Sequence, residues 1–166
     1  MRILKTSNEW ASIDQSARDI VSKYQESFPV AVGAIASEFG IKVLKSTMPG
    51  SYSGEIREEN GVVTIKVNRH DVKERQRFTI AHEIAHFLLH RDRLANGIVD
   101  DVLYRSRLSD TLEKEANRLA ADIIMPVSLI KKFLEENRDL KQDDKQRKLA
   151  EEAQVSLVAV KIRIGK

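Results

Sequence analysis

Apolar residues recur at helical spacing through residues 9–25, at Ile13, Ala17, Ile20, Val21 and Tyr24, which predicts an amphipathic helix. A second short helix is expected from Pro29 to Phe39, with Pro at its start and Gly40 just past its end. The period then changes. Residues 41–45 (IKVLK) alternate and are rich in branched side chains, as a strand requires. In VTIKVN, Val63, Ile65 and Val67 share one face while Thr64, Lys66 and Asn68 share the other. Asn60-Gly61, between two short alternating runs, signals a hairpin. One apolar and one polar face suits an antiparallel sheet of about three strands.

Helical periodicity returns from Asp71, which with Glu74 makes a capping pair, and runs without Pro or Gly to about His90. Residues 91–108 read as irregular. Asp110 can cap a helix over 111–124 that Pro126 stops. Further helices are expected at 127–137 and within 143–164. Helices, a small sheet and then helices again make an α+β domain. The expected division is a main unit over residues 1–140 and a short helical segment over 141–166 that belongs to the same compact body.

Composition narrows the class without choosing a function. The 166 residues are 42% hydrophobic and 32% charged, as in soluble globular proteins. There is no cysteine, which excludes disulfides and thiolate metal sites and suits a cytoplasmic location. No apolar run approaches the roughly 20 residues of a membrane span, and the N-terminus has no secretory pattern. The net charge of +3 sits in residues 128–166, where a solvated helical face accounts for it better than a nucleic-acid surface does.

The chemistry concentrates in RFTIAHEIAHFLLH, residues 77–90. His82 and His86 are four apart, so on a helix their rings stack on one face and can converge on one ion. Glu83 is rotated by about 100° from His82, which places it beside the ion rather than on it, where a general base for an attacking water is needed. Ile80, Ile84, Phe87 and Leu88 form the apolar back of the same helix.

A catalytic zinc takes a third protein ligand and keeps one position open. His90 lies about 6 Å beyond His86 along the axis, too far for one straight helix to wrap a tetrahedral ion. We expect it to face the carbonyls of the helix end. The third ligand is therefore sought in TLEKEANRLAADIIMP, residues 111–126. Glu113 is favoured over Glu115, because Asn117 follows Glu113 by one turn and can hold a ligating histidine by a hydrogen bond. Ala116, Ala120 and Ala121 would let the two helices approach closely.

RQRFTIAHEIAHFLLH followed by EKEANRLAADIIMP resembles the ImmA/IrrE family of HExxH metallopeptidases, and the Ser53-Gly54 turn and the VTIKVN strand fit that family's layout. The resemblance implies a zincin-like fold with a gluzincin-like core and the HExxH helix at its centre. It also implies one Zn2+ held by His82, His86 and Glu113, with Glu83 as catalytic base and Asn117 behind a ligating histidine. Tyr104 and Arg105 are the candidates for an oxyanion donor, with Tyr104 taken as the catalytic choice. The implied substrate is a helix-turn-helix repressor. The alternative is a non-proteolytic regulator or toxin–antitoxin component that binds such a partner. Residues 149–164 themselves resemble a helix-turn-helix, but the leading exposed positions would be Leu157 and Val158, which cannot read base edges. Direct DNA binding is not expected.

Overall fold

The computed structural model describes residues 4–101 and 109–165. The chain opens with two short helices, α1 (Asn8–Ser12) and α2 (Gln15–Lys23), where periodicity suggested one. Ile13 and Asp14 adopt extended backbone between them. Helix α3 (Val32–Glu38) leads through Gly40, at φ 77°, into strand β1 (Lys42–Ser46). Strands β2 (Tyr52–Glu59) and β3 (Val62–Asn68) form the expected hairpin. Asn60 and Gly61 both have positive φ, at 52° and 78°, the backbone that a two-residue hairpin of matching twist requires. Helix α4 (Lys73–Leu89) carries the HEIAH run. A 3-10 segment, Arg91–Asn96, then turns the chain into strand β4 (Ile98–Asp101).

The sheet has four strands in the order β1-β3-β2-β4. Two expectations are corrected. The sheet has four strands, not three, and it is not wholly antiparallel, because β1 runs parallel to β3. Strand β4, only four residues long and half acidic, has no apolar alternation to reveal it. Ser53 and Gly54, expected in a turn, lie inside β2 at an irregularity where Tyr52 opposes Asp101 and Gly54 opposes Asp100. Such a bulge bends the strand and re-aims its neighbours.

Ile56, Val63, Ile65 and Val67 cover the inner face of the sheet and are buried. Helix α4 packs across this face. At Gly54 the approach is so close that a Cβ would collide with Thr79 Cγ2 on α4 and would also meet Lys66 O at 3.4 Å. Helix α5 (Asp110–Ile124), capped by Ser109 rather than Asp110, also packs against α4. Ala81 and Ala85 on α4 and Ala116 and Ala120 on α5 are completely buried. These small side chains let the two helices come together, as close helix pairs require.

Helices α6 (Val127–Glu136), α7 (Gln142–Ala153) and α8 (Leu157–Ile164) complete the fold. Leu149, Ala153, Val155 and Val160 belong to the same hydrophobic cluster as the sheet and α4. The guanidinium of Arg77, on α4, donates to the carbonyls of Val30, Ala153 and Gln154. Asp122, on α5 and 2% exposed, accepts hydrogen bonds from Ser7 N and Oγ at one end of the chain and from Arg163 at the other. No helix of the described residues is long and apolar enough to cross a membrane.

Candidate metal centre

Helix α4 presents His82 and His86 on one face, both with 0% exposure. Their rings meet edge to face, with Nε2 atoms 3.1 Å apart. Glu113, in the first turn of α5, brings a carboxylate to the same place: Oε1 is 3.0 Å from His86 Nε2 and Oε2 is 3.4 Å from His82 Nε2. The three residues singled out in the sequence are thus brought together by the α4–α5 pair.

A fourth residue, missed in the sequence, joins them. Asp100 on β4 places Oδ2 3.4 Å from His82 Nε2 and 3.8 Å from His86 Nε2. One ligand atom from each of His82, His86, Asp100 and Glu113 lies within 4.8 Å of the others. An ion bound tetrahedrally at about 2.0–2.1 Å leaves its ligand atoms about 3.4 Å apart, which is the range of these separations. The signal for Asp100 was slight: Ile98 and Asp100 share the buried face of β4, and an acid where alternation demands an apolar residue needs a partner.

The outward nitrogens of both histidines are also engaged. His82 Nδ1 lies 2.9 Å from Asn117 Oδ1, the arrangement expected for Asn117. His86 Nδ1 lies 2.9 Å from His90 Nδ1. His90 is buried with its ring against His86 and therefore does not face the helix-end carbonyls. Only its backbone N–H closes the helix, onto His86 O.

Glu83 points from the same helix toward the sheet, with a Cβ at Gly54 falling 3.5 Å from its Oε1. It is completely buried, and neither carboxylate oxygen has a hydrogen-bond partner among the described residues. Glu115, the rival third ligand, lies 3.9 Å from His90 and outside the cluster. Tyr104 and Arg105 fall outside the described residues.

The electrostatics reflect three acids packed around two rings. Burial opposes charging of His82, but the Asp100 and Glu113 carboxylates outweigh it and raise its pKa to about 9. Burial, reinforced by the charge of Asp100, raises the Glu83 carboxyl well above its ordinary range. Burial would raise Glu113 as well, yet its contacts with His82 and His86 hold it well below normal. Burial and the neighbouring His86 push His90 down to about 4. A buried set of two imidazoles and two carboxylates, with Asp100 lacking any hydrogen bond, suits a divalent cation by donor type and by charge.

The profile of the IrrE N-terminal-like domain, Peptidase_M78, matches residues 36–165. The chain belongs to this family. The match spans the sheet, α4 and α5, and so includes every member of the cluster. Two family relatives carry the name radiation response metalloprotease IrrE. The protein of Deinococcus radiodurans is 37% identical over 92 residues, 55% of this chain and 27% of that protein. That of Deinococcus deserti is 38% identical over 85 residues, 51% of this chain and 30% of that protein. The chain therefore aligns with less than a third of the length of either relative.

Proposed function

We propose that this chain is a zinc-dependent endopeptidase whose substrate is a helix-turn-helix transcriptional repressor. One observation carries the reading: His82, His86 and Glu113 converge in a buried cluster while Glu83, one residue from a ligand, stays outside it as a buried carboxylate whose oxygens have no hydrogen-bond partner at normal range among the described residues. That is the division of labour that peptide hydrolysis needs. When bound, zinc supplies Lewis acidity toward a water molecule and toward the scissile carbonyl.

The remaining steps belong to the protein. Glu83 removes a proton from the attacking water and delivers it to the leaving amine. Its raised proton affinity suits both halves of that transfer. Asn117 and His90 hold the two imidazoles by their outward nitrogens, which orients the inward ones. Among the described residues strand β4 lies at an edge of the sheet, and an extended substrate segment added to it would run past Asp100 and the site.

The repressor as substrate is supported by the motif resemblance, since characterised ImmA/IrrE members act on such regulators. Relief of repression in a mobile element or a stress response would follow, in the cytoplasm. The test is incubation of the purified chain with helix-turn-helix repressors from the same genome, with and without chelator. Metal-dependent fragments from the wild type, and none from a Glu83→Gln variant that still binds zinc, are expected. Full-rate cleavage by Glu83→Gln would overturn the mechanism. Stable association without fragments would favour the non-proteolytic, toxin–antitoxin-like reading.

A further inference from the structure

We propose that Asp100 is a fourth protein ligand, which closes the site in its resting form and must withdraw before water or substrate can enter. This inference rests on the reading of the cluster as a metal centre. It adds that the described arrangement is a latent one.

The geometry separates two roles for Asp100. As a simple ion-pair partner of a charged His82, its carboxylate would sit at the 2.7–2.9 Å of a charge-assisted hydrogen bond, about the usual length. It sits instead at 3.4 Å from His82 Nε2 and 3.8 Å from His86 Nε2. Those distances match the His82–Glu113 separation of 3.4 Å and the edge of a zinc tetrahedron, about 3.4 Å. Asp100 thus stands where a ligand stands.

Burial argues the same way. Asp100 has 0% exposure, and neither of its carboxylate oxygens makes a hydrogen bond among the described residues. A carboxylate taken out of water needs a compensating cation, and the histidine nitrogens stand 3.4 and 3.8 Å away, beyond the usual length of a charge-assisted hydrogen bond. The backbone delivers the side chain deliberately. Asp100 pairs with Gly54 at the β2 irregularity, and alternation along β4 sends it inward with Ile98.

The functional consequence follows from ligand count. Catalytic zinc sites keep three protein ligands and one open position, whereas four protein ligands make a closed site. With His82, His86, Glu113 and Asp100 all engaged, no position is left for a water molecule or a carbonyl oxygen. Among the described residues strand β4 spans Ile98–Asp101 and lies at an edge of the sheet, so a substrate segment that pairs with it would bear directly on the backbone that holds Asp100.

The test compares the metal-free wild type with Asp100→Ala and Asp100→Asn, each titrated with Zn2+ and with Co2+ and then with azide. Wild type is expected to bind one ion whose cobalt absorption bands are unmoved by millimolar azide. Asp100→Ala should bind zinc at least about tenfold more weakly, as loss of a ligand costs no less than loss of a residue that supports one. Its cobalt bands should shift on azide addition, because the vacated position admits the anion. Asp100→Asn, nearly isosteric, keeps the comparison valid if the alanine variant fails to fold. It should also melt at a higher temperature than wild type without metal and gain less from zinc. Equal zinc affinity, equal cobalt bands and equal azide response in all three proteins would overturn the role of Asp100 and leave the metal centre standing. Failure of the wild type to bind any ion would overturn the metal-centre reading and this inference together.

Discussion

His86 Nδ1 and His90 Nδ1 lie 2.9 Å apart, one helical turn from each other and both buried. One of these nitrogens must donate. His86 turns its Nε2 toward His82 and Glu113, and a ligating nitrogen carries no proton. His86 Nδ1 is then the donor, and His90 Nδ1 accepts. The lowered pKa of His90, about 4, keeps that ring neutral and able to accept. His90→Ala should fold as the wild type does but bind zinc about 10–100-fold more weakly, measured by chelator competition. Unchanged affinity would leave His90 a packing residue.

Asn117 plays the same part for His82, with Oδ1 2.9 Å from Nδ1. Asn117→Ala should lower zinc affinity by a similar factor, about tenfold or more. Asn117→Asp, which keeps an acceptor in place, should stay within a few-fold of the wild type. Equal losses in both variants would show that the oxygen is not what matters.

Metal binding should release protons. In the metal-free protein the His82 pKa is raised to about 9, so the ring is charged at neutral pH and must lose its proton to coordinate. Calorimetry in buffers of different ionisation enthalpy should find at least one proton released per ion near pH 7. Zinc affinity should rise with pH up to about pH 9. The sign for stability is opposite. A group whose pKa rises on folding stabilises the fold below its unfolded value, about 6.5 for histidine, and that contribution is lost as pH climbs through the folded value. Chelated protein should therefore lose stability to denaturant between about pH 6.5 and pH 9, and zinc should suppress the loss.

Gly54→Ala should destabilise by about 1–3 kcal/mol, the usual range for overpacking. The added methyl collides with the buried Thr79 side chain on α4, so relief comes from turning Thr79 out of its place or from shifting α4 against the sheet. Because α4 carries both histidines, zinc affinity should fall in the same variant. Unchanged stability in urea titrations would mean that α4 yields without cost.

The parts of the site that were legible in the sequence are those written in local periodicity. His82, Glu83 and His86 follow from spacing on one helix, and Glu113 with Asn117 follows from spacing on another. Asn60-Gly61 announced its hairpin because both residues must adopt positive φ. What stayed hidden depends on partners distant in the chain. The parallel pairing of β1 with β3 leaves no mark in either strand. Asp100 sits in a four-residue strand whose acidic half reads as loop. His90 lies outside the cluster of His82, His86, Asp100 and Glu113, and its contact with His86 depends on how two rings turn, which spacing alone does not specify.

Asp122 gathers Ser7 and Arg163 onto one carboxylate, which ties the segment before α1 to α8 through α5. Both segments are tied to that one carboxylate by hydrogen bonds rather than by covalent bonds. A circularly permuted chain, with those segments joined by a short linker and a new opening cut between α6 and α7, should therefore retain both the α4–α5 pair and the sheet. The cluster residues would then fall in the later half of the permuted sequence, with α4, β4 and α5 all uncut, and reporter domains could be placed at the new ends without interrupting any of the three.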